Sequence, residues 1–220
     1  MYRQSYQWGR SDKLSDRAAV ALLGFFVVGG LVGTAIVSAI TYNMQLNLWV
    51  ALLFGLGLPF LGIYISASSD QWPVSLFGFG LVFLPFGALI GPFAAQYQLD
   101  SVVQVLVITL IVSTCMWIVG MMIPPIAQHW SGYIVGILLV FIAGDVARAF
   151  MPMFGVQPTV LGVWDWIVAA FFSLLIIYDV NKAMQGPKTV DAMVDGAVGI
   201  YLDIINIFVR LLAASGKKRD

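Results

Sequence analysis

No glutamate occurs in this 220-residue chain, which has one cysteine, one histidine and, from Ala18 to Ala147, no lysine or arginine. Each absence excludes something. A single cysteine permits no internal disulfide, and Cys115 with His129 makes no Cys/His set at zinc spacing. Within "VITLIVSTCMWIVG", Cys115 reads as a small buried hydrophobe, and His129 in "PPIAQHW" reads as a solvated or interfacial loop residue. A net charge of zero offers no attraction to nucleic acid. Only 10% of residues are charged, far below the roughly one quarter of an average soluble domain.

Hydrocarbon fills the space that charge leaves. With 60% hydrophobic residues and a mean hydropathy of +0.93, the composition is that of an integral membrane protein. Seven runs reach the roughly 20 apolar residues that a spanning helix requires, at about 19–41, 46–66, 72–95, 101–123, 132–151, 159–180 and 196–214. The first run is too long for the core of a signal peptide, roughly 7–15 residues, and should stay in the membrane. The expected organisation is all-α: a polar cytoplasmic tail over 1–17, a seven-helix transmembrane domain over 18–214 and a basic tail over 215–220.

The positions of the basic residues orient the chain. Arg3, Arg10, Lys13 and Arg17 precede the first run, and Lys182 and Lys188 lie between the last two. With the N-terminus inside, both groups are cytoplasmic, as the positive-inside rule requires of a protein in the inner (plasma) membrane. Lys217, Lys218 and Arg219 then emerge on the far side, against that rule. Gly29/Gly33 and Gly87/Gly91 have the four-residue spacing that lets helices approach closely. Pro85 and Pro92 are expected to kink the third span, and "MIPPIAQHW" to stop the fourth.

Ionisable residues within spans mark candidate sites, because burying them is costly. Asp145 and Arg148 stand three apart on one helix face and can pair; with Asp165 and the flanking Trp164 and Trp166 they read as a structural cluster near the outer interface, Asp165 being also a candidate mouth residue. Asp179 in "LLIIYDVNKAM" and Asp203 in "VGIYLDIINIFVRLL" stand in apolar company. If the turn between their helices centres on residue 191, both lie at one depth, about 10 Å below the cytoplasmic surface. Two touching carboxylates in a poorly solvated site would share a proton, which makes such a pair a pH sensor. Fully deprotonated, they repel or accept a hard cation such as calcium; with Asn206 one turn on, they suffice for transient coordination. The alternative, that each aspartate separately bonds a backbone group or a water, stands equally open on these grounds.

At these residues the chain resembles a known family. "IIYD" followed by "GAVGIYLDIINIFVRLL" is similar to the C-terminal signature of the Bax inhibitor (lifeguard) family, particularly its short bacterial members, over about residues 174–214. The resemblance implies a last helix enclosed by the other six, and a pH-dependent calcium leak in which Asp179 and Asp203 form the sensor. Asn206, Tyr178, Tyr201, Arg210 and Asp165 are then candidate ion-path or supporting residues. Calcium enters as transported ion and not as cofactor, and the expected partners are lipid and other membrane proteins, with the chain a monomer. Relatives commonly carry an arginine in the second span that latches onto the aspartates and a glutamate early in the third; here those regions read "LPFLGIYISASSDQW" and "FLPFGALIGPF". Arg210, seven residues from Asp203, stands about 10 Å along the axis and is not expected to replace that latch.

Three functions compete. The leading one is a pH-regulated cation leak: closed while the aspartates share a proton, opened as deprotonation separates them and shifts the last helix. A non-conducting partner of proteases or stress machinery is the alternative. Intramembrane aspartyl proteases also carry a Tyr-Asp pair like Tyr178-Asp179, but their second aspartate follows Gly-x-Gly where this chain has "GIYLD", so the expectation is no enzyme. A retinal pigment is excluded, since the last span has no lysine for a Schiff base.

Overall fold

The computed structural model describes residues 13–126, 130–151 and 161–219. Arg3, Arg10 and His129 lie outside the described residues. Helix α1 (Asp16–Thr41) begins where the Ser15 side chain accepts the Ala18 N–H at 3.3 Å, with Asp16 in the first turn complementing the helix dipole. Asn47 caps α2 (Leu48–Leu52) in the same way, accepting the Val50 N–H at 2.9 Å. A π-helical segment, Leu53–Gly57, joins α2 to α3 (Leu58–Ala67), and together they form one span. Pro59 supplies the local reason, since it has no N–H to offer the carbonyl of Gly55 four residues earlier. There follow α4 (Trp72–Ala94), α5 (Leu99–Met122), α6 (Trp130–Phe150), α7 (Leu161–Gln185) and α8 (Val190–Ser215).

The chain is thus an all-α protein with seven spans long and apolar enough to cross a membrane, and among the described residues there is no strand. Of the seven, α8 is the most buried. The boundary between the last two helices differs from the sequence expectation. Most of "QGPKTVDAMVDG" is helical, and the turn is only Gly186–Thr189. Gly186 and Pro187 end α7, and Thr189 starts α8 by accepting the Ala192 N–H on its hydroxyl at 3.2 Å, ahead of Asp191 in the first turn.

The residues expected to form one domain group into two compact units. The first comprises residues up to Ala95 with Lys182–Leu202. Its core sets α1 against α4 through small residues: a methyl added at Gly91 would come within 2.5 Å of the Ser38 carbonyl, and one at Gly87 within 3.0 Å of that of Thr34. On α1, however, Gly29 faces open space, and it is Gly30 and Gly33 that admit the rings of Phe79 and Phe83. On either side of Pro85, Thr34 donates to the Phe83 carbonyl at 3.3 Å and Ser38 to that of Gly87 at 3.0 Å. Both prolines lie inside a helix that continues from Trp72 to Ala94. Helices α3 and α4 meet backbone to backbone, where a methyl on Gly78 would lie 2.6 Å from the Gly62 carbonyl.

The second unit comprises Gln96–Asn181 and the chain from Asp203 onward. Its basic tail is tied down: Gln98 N–H donates to the Lys217 carbonyl at 2.8 Å, Arg219 N–H to that of Gln96 at 2.9 Å, and Lys217 N–H to the Ser101 hydroxyl at 3.0 Å. An isolated antiparallel bridge pairs Tyr97 with Lys218. Cys115 is exposed on α5, contrary to the expectation that it would be buried. Ser113, two residues earlier and so on the opposite face, turns inward while Cys115 faces out, and in a spanning helix an outward thiol meets lipid as easily as an inward one meets protein.

Candidate functional site

Three groups of acids lie within the spans, each in a different setting. In the first unit, Asp191 and Asp195 on the opening turns of α8 accept serine hydroxyls, from Ser75 at 2.6 Å and from Ser66 respectively. Asp16 pairs with Lys188 at the start of α1. These contacts tie α3, α4 and α1 to the start of α8 with neutral donors and one peripheral ion pair.

The second group is a neutral four-charge cluster in the second unit. Arg210 on α8 pairs with Asp145 on α6, and with Asp165 on α7 at 2.9 Å. Arg148 reaches Asp165 at 3.3 Å and Asp145 at 3.7 Å, and the Trp164 indole donates to Asp145 at 3.3 Å. Asp165 is 1% exposed, so its charge is tolerable only because two guanidiniums face it. Tyr97, between spans, has its phenol raised above the usual range by burial and by the Asp165 carboxylate, and it therefore stays neutral at physiological pH. Asp145, Arg148 and Asp165 thus form the structural cluster read from the sequence. Arg210 joins it, and the signal was depth: Asp165 lies four residues into α7, Arg210 five before the end of α8 and Asp145 five before the end of α6.

The third group is Asp203 with Asp179, also in the second unit. Asp203 is 3% exposed, and its Oδ2 has no hydrogen-bond partner. Asp179 on α7 is close enough for its charge to act on Asp203. With the turn at Gly186–Thr189, Asp179 stands six residues before the end of α7 and Asp203 thirteen after the start of α8, about 9 and 20 Å along their helices, and not at the equal depth inferred from a turn centred on residue 191. Asn206 follows on α8, one turn beyond Asp203, and is half-buried. Arg210 turns its guanidinium to Asp145 and Asp165, as expected of a residue that does not serve as the latch.

The remaining candidates are placed as follows. Tyr201, fully buried in the first unit, shares a 2.7 Å hydrogen bond with Thr34 and stacks edge-on to Phe79, which is a packing role. Tyr178 is buried beside Asp179 in sequence. Among the described residues no three Asp, Cys or His side chains gather as a metal site.

Sequence reasoning passed over Asn181. It is 5% exposed, and its side chain accepts the Ile126 N–H at 2.9 Å and donates to the carbonyls of Gly120 and Ile123 at 3.1 and 3.2 Å. The signal was an asparagine in an apolar helix opposite the "IPP" that ends α5, since prolines leave carbonyls that need a donor from elsewhere.

Comparison with known proteins bears on this arrangement. The family model described as "Inhibitor of apoptosis-promoting Bax1" matches residues 24–220. An uncharacterized protein of Helicobacter pylori strain J99 is 29% identical over 130 residues, 58% of this chain and 53% of the relative. Its counterpart in strain 26695 is 28% identical over 130 residues, with the same coverage. The chain spans about half the length of the curated relatives it matches.

Proposed function

Since the chain belongs to the Bax inhibitor family, we propose that it is a pH-sensitive cation leak with calcium as cargo, in which Asp179 and Asp203 form the proton-sensing pair. One observation carries this reading: a carboxylate buried within a span, with an oxygen that lacks a hydrogen-bond partner and a second carboxylate acting on it. A native fold retains an unsatisfied buried group at such cost where the group has work to do. Arg148 and Arg210 are committed to the other cluster, and Ala18–Ala147 holds no lysine or arginine, so the second-span arginine that latches the pair in relatives has no counterpart here. Calcium is cargo met in passing, because two carboxylates and Asn206 fall well short of the roughly six to eight oxygens of a resident site.

In this reading the protein lies in the inner membrane with its N-terminal side cytoplasmic, which puts Lys13, Arg17, Lys182 and Lys188 inside. No enzymatic step is assigned to it. The test is calcium efflux from liposomes across a pH series. Wild type is expected to leak in a pH-dependent manner, with the dependence lost in Asp179→Asn and in Asp203→Asn. Identical pH profiles in all three proteins would refute the pair. The absent second-span arginine favours a second reading, a non-conducting membrane partner, which gains if wild type passes no ion and a protein co-purifies with it.

A further inference from the structure

We infer that Asn181 is the positioning residue of the aspartate pair: it clamps α7 to the broken end of α5 in one register and one rotation, and so aims Asp179. The inference rests on the pair reading for its functional meaning, but its geometry stands apart from it.

Helix α5 ends at Met122, and Pro124 and Pro125 follow with no N–H to continue the ladder. The last carbonyls of α5 therefore need donors, and the first N–H beyond the prolines, that of Ile126, needs an acceptor. Asn181 meets both needs with one amide. Its Nδ2 faces the carbonyls of Gly120 at 3.1 Å, Ile123 at 3.2 Å and Pro124 at 3.4 Å, and its Oδ1 takes the Ile126 N–H at 2.9 Å. An amide is the side chain that both donates and accepts in a fixed plane, so a serine, lysine or carboxylate could not replace it.

A backbone contact completes the clamp. At Gly120, an added methyl would stand 2.8 Å from the Ile177 carbonyl and 3.0 Å from Val180 Cβ. Helix α7 is thus pressed on α5 over Ile177–Asn181, the stretch that contains Asp179. Asp179 precedes Asn181 by two residues, about 200° around the helix. The clamped face is therefore nearly opposite the one that carries the carboxylate. A slip or rotation of α7 on α5 would swing Asp179 relative to Asp203, whose place is set by α8.

The experiment uses carbon-13 carboxyl resonances of the full-length protein in lipid nanodiscs, with the Asp179 and Asp203 signals identified as those lost in Asp179→Asn and Asp203→Asn. Asn181→Ala is expected to shift the Asp179 signal while leaving those of Asp145 and Asp165 in place. Gly120→Ala, which forces α7 away from α5 while keeping the Asn181 side chain, should move it too. In liposomes either variant should change calcium efflux by about tenfold, the scale of lost supporting contacts around a functional group. Lowered thermal stability with the Asp179 signal unmoved, in whichever variant folds, would reduce Asn181 to a structural cap and overturn the inference. A wild type without pH-dependent efflux would remove the leak reading alone, since the resonance still decides whether Asn181 places Asp179.

Discussion

Within the second unit, two sets of acids inside the spans, each with one fully buried member, received opposite treatment. Asp145 and Asp165 face two guanidiniums in a cluster whose charges cancel. Asp203, at a similar level of burial to Asp165, keeps an oxygen with no hydrogen-bond partner, and the charge that acts on it is that of another acid, Asp179. The first arrangement is what stability demands of a charge removed from water. The second is poor for stability, which is why we propose it as the proton-sensing site. In the first unit, Asp191 and Asp195 lie between these extremes, held by the neutral donors Ser75 and Ser66.

This contrast can be broken by single substitutions, read by thermal unfolding in detergent. Arg210→Leu should have the largest effect, lowering stability by about 3–5 kcal/mol, because it leaves the Asp165 charge buried with only the longer contacts to Arg148. Asp165→Asn should cost about 2–3 kcal/mol, since its three bonds from Arg148 and Arg210 lose their carboxylate charge and two arginines are left to one aspartate. Ser75→Ala should cost about 1 kcal/mol, the worth of an ordinary hydrogen bond at Asp191. Asp203→Asn, the same isosteric change as at Asp165, should fall within about 1 kcal/mol of zero or stabilise, because among the described residues no guanidinium pairs with it, while abolishing the pH dependence of efflux. Equal losses from Asp165→Asn and Asp203→Asn would remove the distinction between the two sets.

Much of this was legible in the residues. Apolar runs of spanning length announce seven helices, and the four-residue spacing of Gly87 and Gly91 announces a close helix contact. The Asp145–Arg148 pair followed from their three-residue separation, and Asp165 joined them by depth. What escaped was whatever depends on a second helix's rotation. Gly29 and Gly30 are adjacent, and only the ring of Phe79 on α4 shows which one faces the core. The turn before α8 was placed too late because Asp191 and Asp195 look like loop residues until serines on α3 and α4 are seen to hold them.

Sequence alone therefore determined that the chain lives in a membrane, how many times it crosses, and which acids need explaining. Those facts depend on hydrophobicity summed along one segment, and a single chain states them without reference to any neighbour. Tertiary structure decided which acids are neutralised, that Arg210 serves Asp145 and Asp165, and that Asn181 ties α7 to α5. Those facts depend on distances of about 3 Å between residues tens of positions apart, and only helices packed at a particular register and rotation can set them.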